Sequence, residues 1–447
     1  MTVAGDGAPE ESAGRTTRAW LIRRNPDFRR FWAGQSVSAL GDQITRFALP
    51  TVALVSLHVS PWTFGLLSVT GFISYPVIGL FAGAWVDRLS RRRVLIGANA
   101  VRLVAVGTVP LAAASDALSV PLLFGVSLVS GAATCFFDAA YQAYLPSVVP
   151  ADDLAAGNAL LEVSTSTAQV AGPSLAGLLI GAIGAAYTLV VDAASYLVSI
   201  VSLTRIRGRE EPPAKRRRSL LPEVREGLVL VWRHPLLRRL TTATALANVG
   251  RGLALEMFLL FAYRGLGLPP VTVGLMTTAG SVAALAGAMF CRALARRLGI
   301  GHTLLVAGFC KGVPWLLTPL ALIGPAIPVM MAITFASGFF ISVWNVNTVT
   351  LRQYMTDTDV LGRVSATVRT VTWSVIPLTG LLGGGLATVG TALWGSRVGL
   401  AAVLALGGAV WAGATLALPL REIGRVRESE DAVTTYGRIA TPRPPRV

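Results

Sequence analysis

Apolar residues in this chain gather into stretches of about 20 or more, and most charged residues are kept out of them. A soluble protein of 447 residues, 53% hydrophobic and 14% charged, would instead scatter its apolar residues in short periodic runs. A long apolar stretch in lipid has to satisfy its own backbone hydrogen bonds, so each stretch reads as a transmembrane helix. The fold class expected is all-α integral membrane, with the lipid bilayer as solvent. Twelve transmembrane helices are predicted, at residues 31–57, 62–86, 94–114, 120–145, 158–183, 186–204, 238–263, 271–291, 303–323, 327–350, 364–389 and 397–420. Spans 5 and 6 lie so close together, around Gly184, that they could be counted as one.

The basic residues orient these spans. Of 39, 32 fall in the even-numbered connections and the two tails, and only Arg264 and Arg397 fall in odd-numbered connections. The other five, Arg46, Arg102, Arg251, Lys311 and Arg369, lie inside spans. Positive charge stays on the cytoplasmic side, so both termini are expected there, in a multi-pass protein of the cell membrane. The net charge of +16 then belongs to the bilayer, and no nucleic acid is expected as a partner. The most concentrated short loop is Gly83 to Arg93, with one acid and four arginines from Asp87 to Arg93.

Five regions follow: an N-terminal tail (1–30), a six-helix half (31–204), a basic linker (205–237), a second six-helix half (238–420) and a C-terminal tail (421–447). In the linker, Pro212-Pro213 breaks any helix and Lys215-Arg216-Arg217-Arg218 is a cationic cluster. Leu220, Val224, Leu228 and Val231 then recur at three- and four-residue intervals, as in an amphipathic helix lying on the inner leaflet. The halves read as pseudo-repeats. Pro173 and Pro377 are 204 residues apart, as are Gly83 and Gly287, and Asn158-Ala159 and Ser365-Ala366 are 207 apart. Six-plus-six spans with parallel repeats is a transporter architecture.

Other chemistry finds little support. Cys135, Cys291 and Cys310 fit no metal site or disulfide framework, and His58, His234 and His302 are dispersed. Neither lysine sits in a phosphate-binding glycine loop. No cofactor, metal or enzymatic activity is expected.

The loop after span 2 resembles the pattern between helices 2 and 3 of the major facilitator superfamily. Gly83, Asp87, Arg88, Arg91, Arg92 and Leu95 match, Trp85 replaces a leucine and Ser90 replaces a glycine. Trp344-Asn345-Val346, Leu351-Arg352-Gln353, Leu361-Gly362-Arg363-Val364 and Arg369 resemble the branch of macrolide-efflux and enterobactin-exporter proteins. So do Phe137-Asp138 through Leu145-Pro146 and Asn158-Ala159-Leu160. Ala168, Gly172, Pro173 and Gly177 in span 5 are similar to the antiporter motif of the superfamily. The arginine that many drug/proton antiporters carry in span 4 is missing, with Ser127, Ser130 and Gly131 at the aligned positions. The resemblance implies the major facilitator fold, in which helices 1, 4, 7 and 10 line a central cavity. It also implies a latch in which Asp87 faces the N-terminus of helix 11 and Arg363.

Intramembrane charges need explanations, because each costs about 2.5–3.5 kcal/mol at the bilayer centre on insertion scales. Asp42 and Arg46 share a helix face and can pair, or Asp42 can face the cavity. Asp138 shares a face with Tyr141 and is expected at the cavity or a gate. Glu256 is the acid least provided with a local partner, since Arg251 points elsewhere on the helix. A carboxyl in low dielectric can bind and release protons, so Asp42 and Glu256 are the candidates for proton coupling. Asp192 is expected to anchor the outer end of span 6. Aromatic residues in spans 4, 7 and 10, among them Tyr141, Phe258, Phe340 and Trp344, would suit a hydrophobic or cationic substrate as cavity walls.

These features describe a monomeric secondary transporter that exports a small, largely apolar molecule in exchange for protons. The alternatives are an importer or facilitator of the same fold, or a membrane sensor without flux.

Overall fold

A computed structural model describes residues 21–86, 89–207 and 220–439. All-helical architecture follows: among the described residues there is no strand beyond one isolated bridge, Thr356 to Ile439. Asp87, Arg88, Pro212-Pro213 and the Lys215–Arg218 cluster lie outside the described residues.

The helices in chain order are α1 (Pro26–Thr51), α2 (Pro61–Val86), α3 (Arg91–Ala114), α4 (Val120–Val148), α5 (Leu154–Ile183) and α6 (Ala185–Thr204). They continue with α7 (Leu220–Arg233), α8 (Pro235–Leu260), α9 (Pro270–Leu298), α10 (Ile300–Cys310), α11 (Ala326–Tyr354), α12 (Thr358–Trp373) and α13 (Ile376–Gly413). Two short helices, α14 (Leu420–Gly424) and α15 (Ser429–Tyr436), end the described chain. Each predicted span falls on helical sequence, but span 9 leaves its α-helix at Cys310 and continues through a 3-10 turn (Val313–Leu317) and a short helix (Leu320–Ile323), and span 11 is interrupted at Ser374–Val375. Several helices overrun: α5 starts at Leu154, not 158, and α11 runs to Tyr354, not 350. Hydropathy marks where lipid ends, but the backbone bonds of a helix continue into the polar interface.

Spans 5 and 6 are separate, because Gly184 adopts φ +84° between α5 and α6. A similar reversal hides inside α13. Gly395 has φ +75°, and a Cβ on Gly390 would lie 3.2 Å from the carbonyl oxygen of Gly399. Residues nine apart in a straight helix are about 13.5 Å apart, so the chain turns back at Gly395 and makes spans 11 and 12. Pro173 sits inside an unbroken α5, whereas Pro377 starts α13 after a break at Ser374–Val375. The first span of each half ends alike: α1 and α8 run into five-residue π-helical turns, Val52–Ser56 and Phe261–Gly265.

The chain forms two compact units. The first comprises Met1–Leu57 and Ile73–Arg216. Within it α6 packs against α1 and α3. A Cβ on Gly34 would collide with Ser202, and one on Gly41 with Ser195 and Asp192. Glycine on one helix and small polar residues on the other allow the close approach typical of membrane helices. That approach brings side chains of α1, α3 and α6 together.

The second unit comprises His58–Phe72 and Arg217–Val447. Within it α13 packs on α8, α9 on α11, and α7 on α12. The amphipathic helix α7 does not rest on lipid alone. Val231 is fully buried in a cluster with Val360 and Val364, because Gly227 lets α7 meet Thr367 and the Arg363 backbone. Leu228 and Trp232 remain exposed on the same helix. The C-terminal segment docks here too. Ile300 and Gly301 donate N–H groups to the carbonyls of Arg427 (3.0 Å) and Val426 (2.9 Å), and Ile439 donates to Met355 (2.9 Å).

Candidate functional site

In the first unit, ionisable residues from three helices meet inside apolar packing. Arg102 of α3 is sealed at 1% exposure, and its Nη1 donates to Oδ1 of Asp42 on α1 at 3.3 Å. The Tyr196 hydroxyl of α6 donates to the same oxygen at 2.6 Å. The guanidinium lies between two rings, 4.2 Å from the centroid of Phe137 and 4.6 Å from that of Tyr196. Desolvated contacts of this kind contribute about 2 kcal/mol. Nη2 of Arg102 donates to Asn99, whose Nδ2 donates to Ser199 at 2.9 Å. Beside them Asp192 is fully buried and accepts hydrogen bonds from Thr45 and from Ser195 (2.9 Å).

This network corrects the expected pairing of Asp42 with Arg46. Arg46 is exposed, and the partner of Asp42 is Arg102. Asp192 is part of the buried network, not an anchor at the end of a span. Arg102, Tyr196 and Asp192 were missed as site residues. Two of them carried a signal, being charges inside apolar runs. Asp138 is exposed on α4, near enough for its charge to act on Arg102 and Tyr141. Tyr141 stacks on Phe137 with 5.8 Å between centroids.

The second unit holds a separate acid. Oε1 of Glu256 on α8 accepts from the Thr379 hydroxyl of α13 at 3.0 Å, and Oε2 has no donor among the described residues. Arg251, which the helical wheel points elsewhere, is the cation whose field reaches this acid. Lys311, at 1% exposure, lies with Nζ 3.3 Å from the centroid of Trp344 and has no hydrogen-bond acceptor among the described residues. Trp344 is buried under that amine, and Phe258 is buried edge-to-face on Trp315 (6.0 Å). Both side chains pack inside the second unit. Phe340 is half-buried against Phe339, with 5.2 Å between centroids.

The loop after α2 is partly described. Arg92 Nε and Nη2 donate to the Leu203 (2.8 Å) and Thr204 (2.6 Å) carbonyls and so cap the C-terminus of α6, where the helix dipole favours a cation. Ser90 is the N-cap of α3, its hydroxyl accepting from the Arg93 N–H at 3.5 Å. Arg91 is half-buried there. Arg363, expected opposite Asp87, forms an ion pair with Glu226 of α7. In α5, a Cβ on Gly172 would run into the Gln43 side chain of α1, and Pro173 and Gly177 are buried.

Outside the spans, His234 caps α8: its Nδ1 accepts from the Leu237 N–H at 3.3 Å, and its Nε2 lies 3.3 Å from the Gly437 carbonyl. Burial pushes this imidazole below its ordinary value, against the opposing pull of the Gly437 and Tyr436 carbonyls. Among the described residues no cluster of His, Cys, Asp and Glu is suited to a metal ion.

Nine helical stretches of the described chain are long and apolar enough to cross a membrane, the last of them the 60-residue stretch that folds back at Gly395. Long apolar helices with an ion pair locked inside their packing define a polytopic membrane transport protein. The sequence pattern of the Major Facilitator Superfamily matches residues 31–378, and the chain belongs to that family. It is a transporter of small molecules, not an enzyme.

Relatives agree with the efflux branch. The chain is 28% identical over 337 residues to the multidrug efflux pump Tap of Mycolicibacterium fortuitum, covering 71% of this chain and 78% of the relative. Over 209 residues it is 27% identical to macrolide efflux protein A of Streptococcus pyogenes, covering 46% of this chain and 51% of that one. Its fold is similar to the crystal structure of a bacterial homologue of the iron transporter ferroportin (TM-score 0.65, 19% identity, 87% of this chain and 98% of that chain). A bacterial homologue of the human lysosomal transporter Spinster is also similar (TM-score 0.63, 13% identity, 93% and 98%).

Proposed function

We propose that this transporter exports a small, largely apolar compound across the cell membrane by alternating access, in exchange for protons. It acts as a monomer with both termini in the cytoplasm and takes no nucleic acid as a partner. The observation that carries the reading is the pair of membrane acids, each held by one oxygen. Asp42 is 29% exposed while its partner Arg102 is sealed, so the acid is the member of the pair that a proton can reach. Protonating Asp42 would release Arg102 to its ring partners and to Asn99. Glu256 offers an oxygen without a donor to a second proton. A proton that binds one arrangement of such a network more tightly than another shifts the balance between them. The efflux activity named for the relatives supports the outward direction.

The loop residues Gly83, Asp87, Arg88, Arg91 and Arg92, together with Arg363, act as the inner gate in this reading. Arg92 ties the loop to α6, and Arg363 ties α12 to the linker helix. Gly172, Pro173 and Gly177 provide the smooth face on which α1 moves against α5. Asp138, Tyr141 and Phe340 face the substrate path.

The test is energised uptake into inverted membrane vesicles, normalised to folded transporter. Uncoupler-sensitive accumulation of exported compounds is expected in the wild type, and loss of it in Asp42→Asn and Glu256→Gln. Both variants keeping uphill uptake at normal affinity would overturn the coupling assignment. Accumulation in right-side-out vesicles only would reverse the direction.

A further inference from the structure

The second unit contains a cavity of 520 Å3 walled by α8, α11 and α12, a volume that suits a small organic ligand. Its charge is one-sided. Arg352 of α11 and Arg369 of α12 line it, and no aspartate or glutamate does. Nε of Arg352 is enclosed and meets no acceptor among the described residues. Among the described residues no carboxylate pairs with either guanidinium. Arginine does not give up its proton, so the wall stays cationic at any physiological pH. Two such charges on one partly desolvated wall repel each other until an anion joins them.

The polar remainder of the wall is uncharged: Thr241, Thr244, Asn345, Thr348, Ser365 and Thr372. The hydroxyls of Thr244, Thr348 and Thr372 donate to carbonyls of their own helices at 2.8, 2.9 and 2.8 Å. Used in that way, they present the cavity with lone pairs only. The charged donors of the wall are the two arginines, while Trp373 and Val349 supply aromatic and apolar surface. A cation would find two positive charges and no carboxylate, so the cationic substrate suggested by the aromatic residues does not fit this cavity. Asn345, Arg352 and Gly362, from three separate motif stretches of the sequence, share this wall with Arg369.

We infer that this cavity binds a small amphiphilic anion, its carboxylate, sulfonate or phosphate held by Arg352 and Arg369 and its apolar body against Trp373. The inference deepens the proposed function by naming the charge class of the cargo, and it rests on that cargo being a small organic molecule. Binding at equilibrium needs no energy source, so it can be measured apart from transport.

The full chain in discs of zwitterionic lipid is titrated calorimetrically with 2-naphthoate, with neutral 2-naphthamide and with 2-naphthylmethylammonium. Naphthoate is expected to bind about tenfold or more tightly than the amide, and the amine not to bind, since hydrogen bonds to charged groups outweigh neutral ones. Arg352→Gln and Arg369→Gln should each remove about tenfold of the naphthoate affinity and leave the amide unchanged. Should either Gln variant fail to fold, Arg352→Lys and Arg369→Lys keep the charge and should retain most of the affinity. Equal binding of acid and amide, no naphthoate binding, or folded Gln variants with wild-type affinity would each overturn the proposal. Displacement of naphthoate by phosphatidylglycerol in the discs would assign the wall to lipid headgroups and also overturn it. Selective naphthoate binding without uncoupler-sensitive flux would leave this inference standing and remove only proton coupling.

Discussion

The hydroxyl of Tyr196 and the guanidinium of Arg102 converge on one oxygen of Asp42, at 2.6 and 3.3 Å. The tyrosine ring also lies against the guanidinium it shares that oxygen with. One aromatic residue thus stabilises both members of an ion pair: the acid by a hydrogen bond, the base through its π face.

Removing either charge should hurt more than removing both. Asp42→Asn takes away the one carboxylate that pairs with Arg102 among the described residues, leaving a sealed cation uncompensated. Breaking a buried pair costs about 3–5 kcal/mol, and partial exposure of Asp42 puts this one near the lower end, about 3 kcal/mol. The double variant Asp42→Asn/Arg102→Met should regain at least half of that loss. Chemical unfolding of the purified variants in detergent gives the cycle, and strictly additive losses would show that the pair is not coupled.

Lys311 should behave in the opposite way. Its ammonium is buried with a tryptophan face as its one described partner, so charge contributes little that shape does not. Lys311→Met, similar in length, is expected to melt at or above the wild-type temperature, whereas Lys311→Ala should lose about 2 kcal/mol or more through the cavity it leaves. Thermal melting checks both. A methionine variant that folds well but transports nothing would give the amine a role in the transport cycle.

His234 makes docking of the C-terminal segment depend on pH. Its folded value is depressed, so the docked form holds fewer protons than the free one. Its contribution is full above the ordinary imidazole value of about 6.5 and is lost as pH falls below it. Protonating Nδ1 also removes the acceptor for the Leu237 N–H. Amide exchange across residues 420–439, corrected for intrinsic rate, should quicken in acid. It should not in His234→Asn, which keeps a capping oxygen and does not titrate.

The membrane class and the rough place of most helices were legible because burial in lipid needs long, mostly uncharged runs, a property a window of sequence displays. Helix ends were not, since α5 and α11 continue by hydrogen bonding into polar sequence. Partners of the intramembrane charges were least legible. Asp42 has an arginine four residues away, yet it pairs with one 60 residues away, because α1 and α3 both pack on α6. Lys311 and Trp344 are likewise joined only by folding. Ser90 looked like a missing glycine and proves to be a helix cap. The burial of Trp344 and Phe258 was not legible, because an aromatic residue at helical spacing reads the same whether it packs inward or lines a path.

The one-signed wall of Arg352 and Arg369 changes the electrical work of export. A neutral compound leaving the cell crosses the membrane field without electrical work and gains only from ions exchanged for it. An anion leaving an interior held negative moves down the field, gaining about 2.3 kcal/mol for each 100 mV and each charge. At about 1.4 kcal/mol per factor of ten, that gain alone sustains an outward concentration ratio of more than one order of magnitude. Two arginines that choose a charged cargo would thereby let the resting potential share the work of export with the proton exchange proposed above.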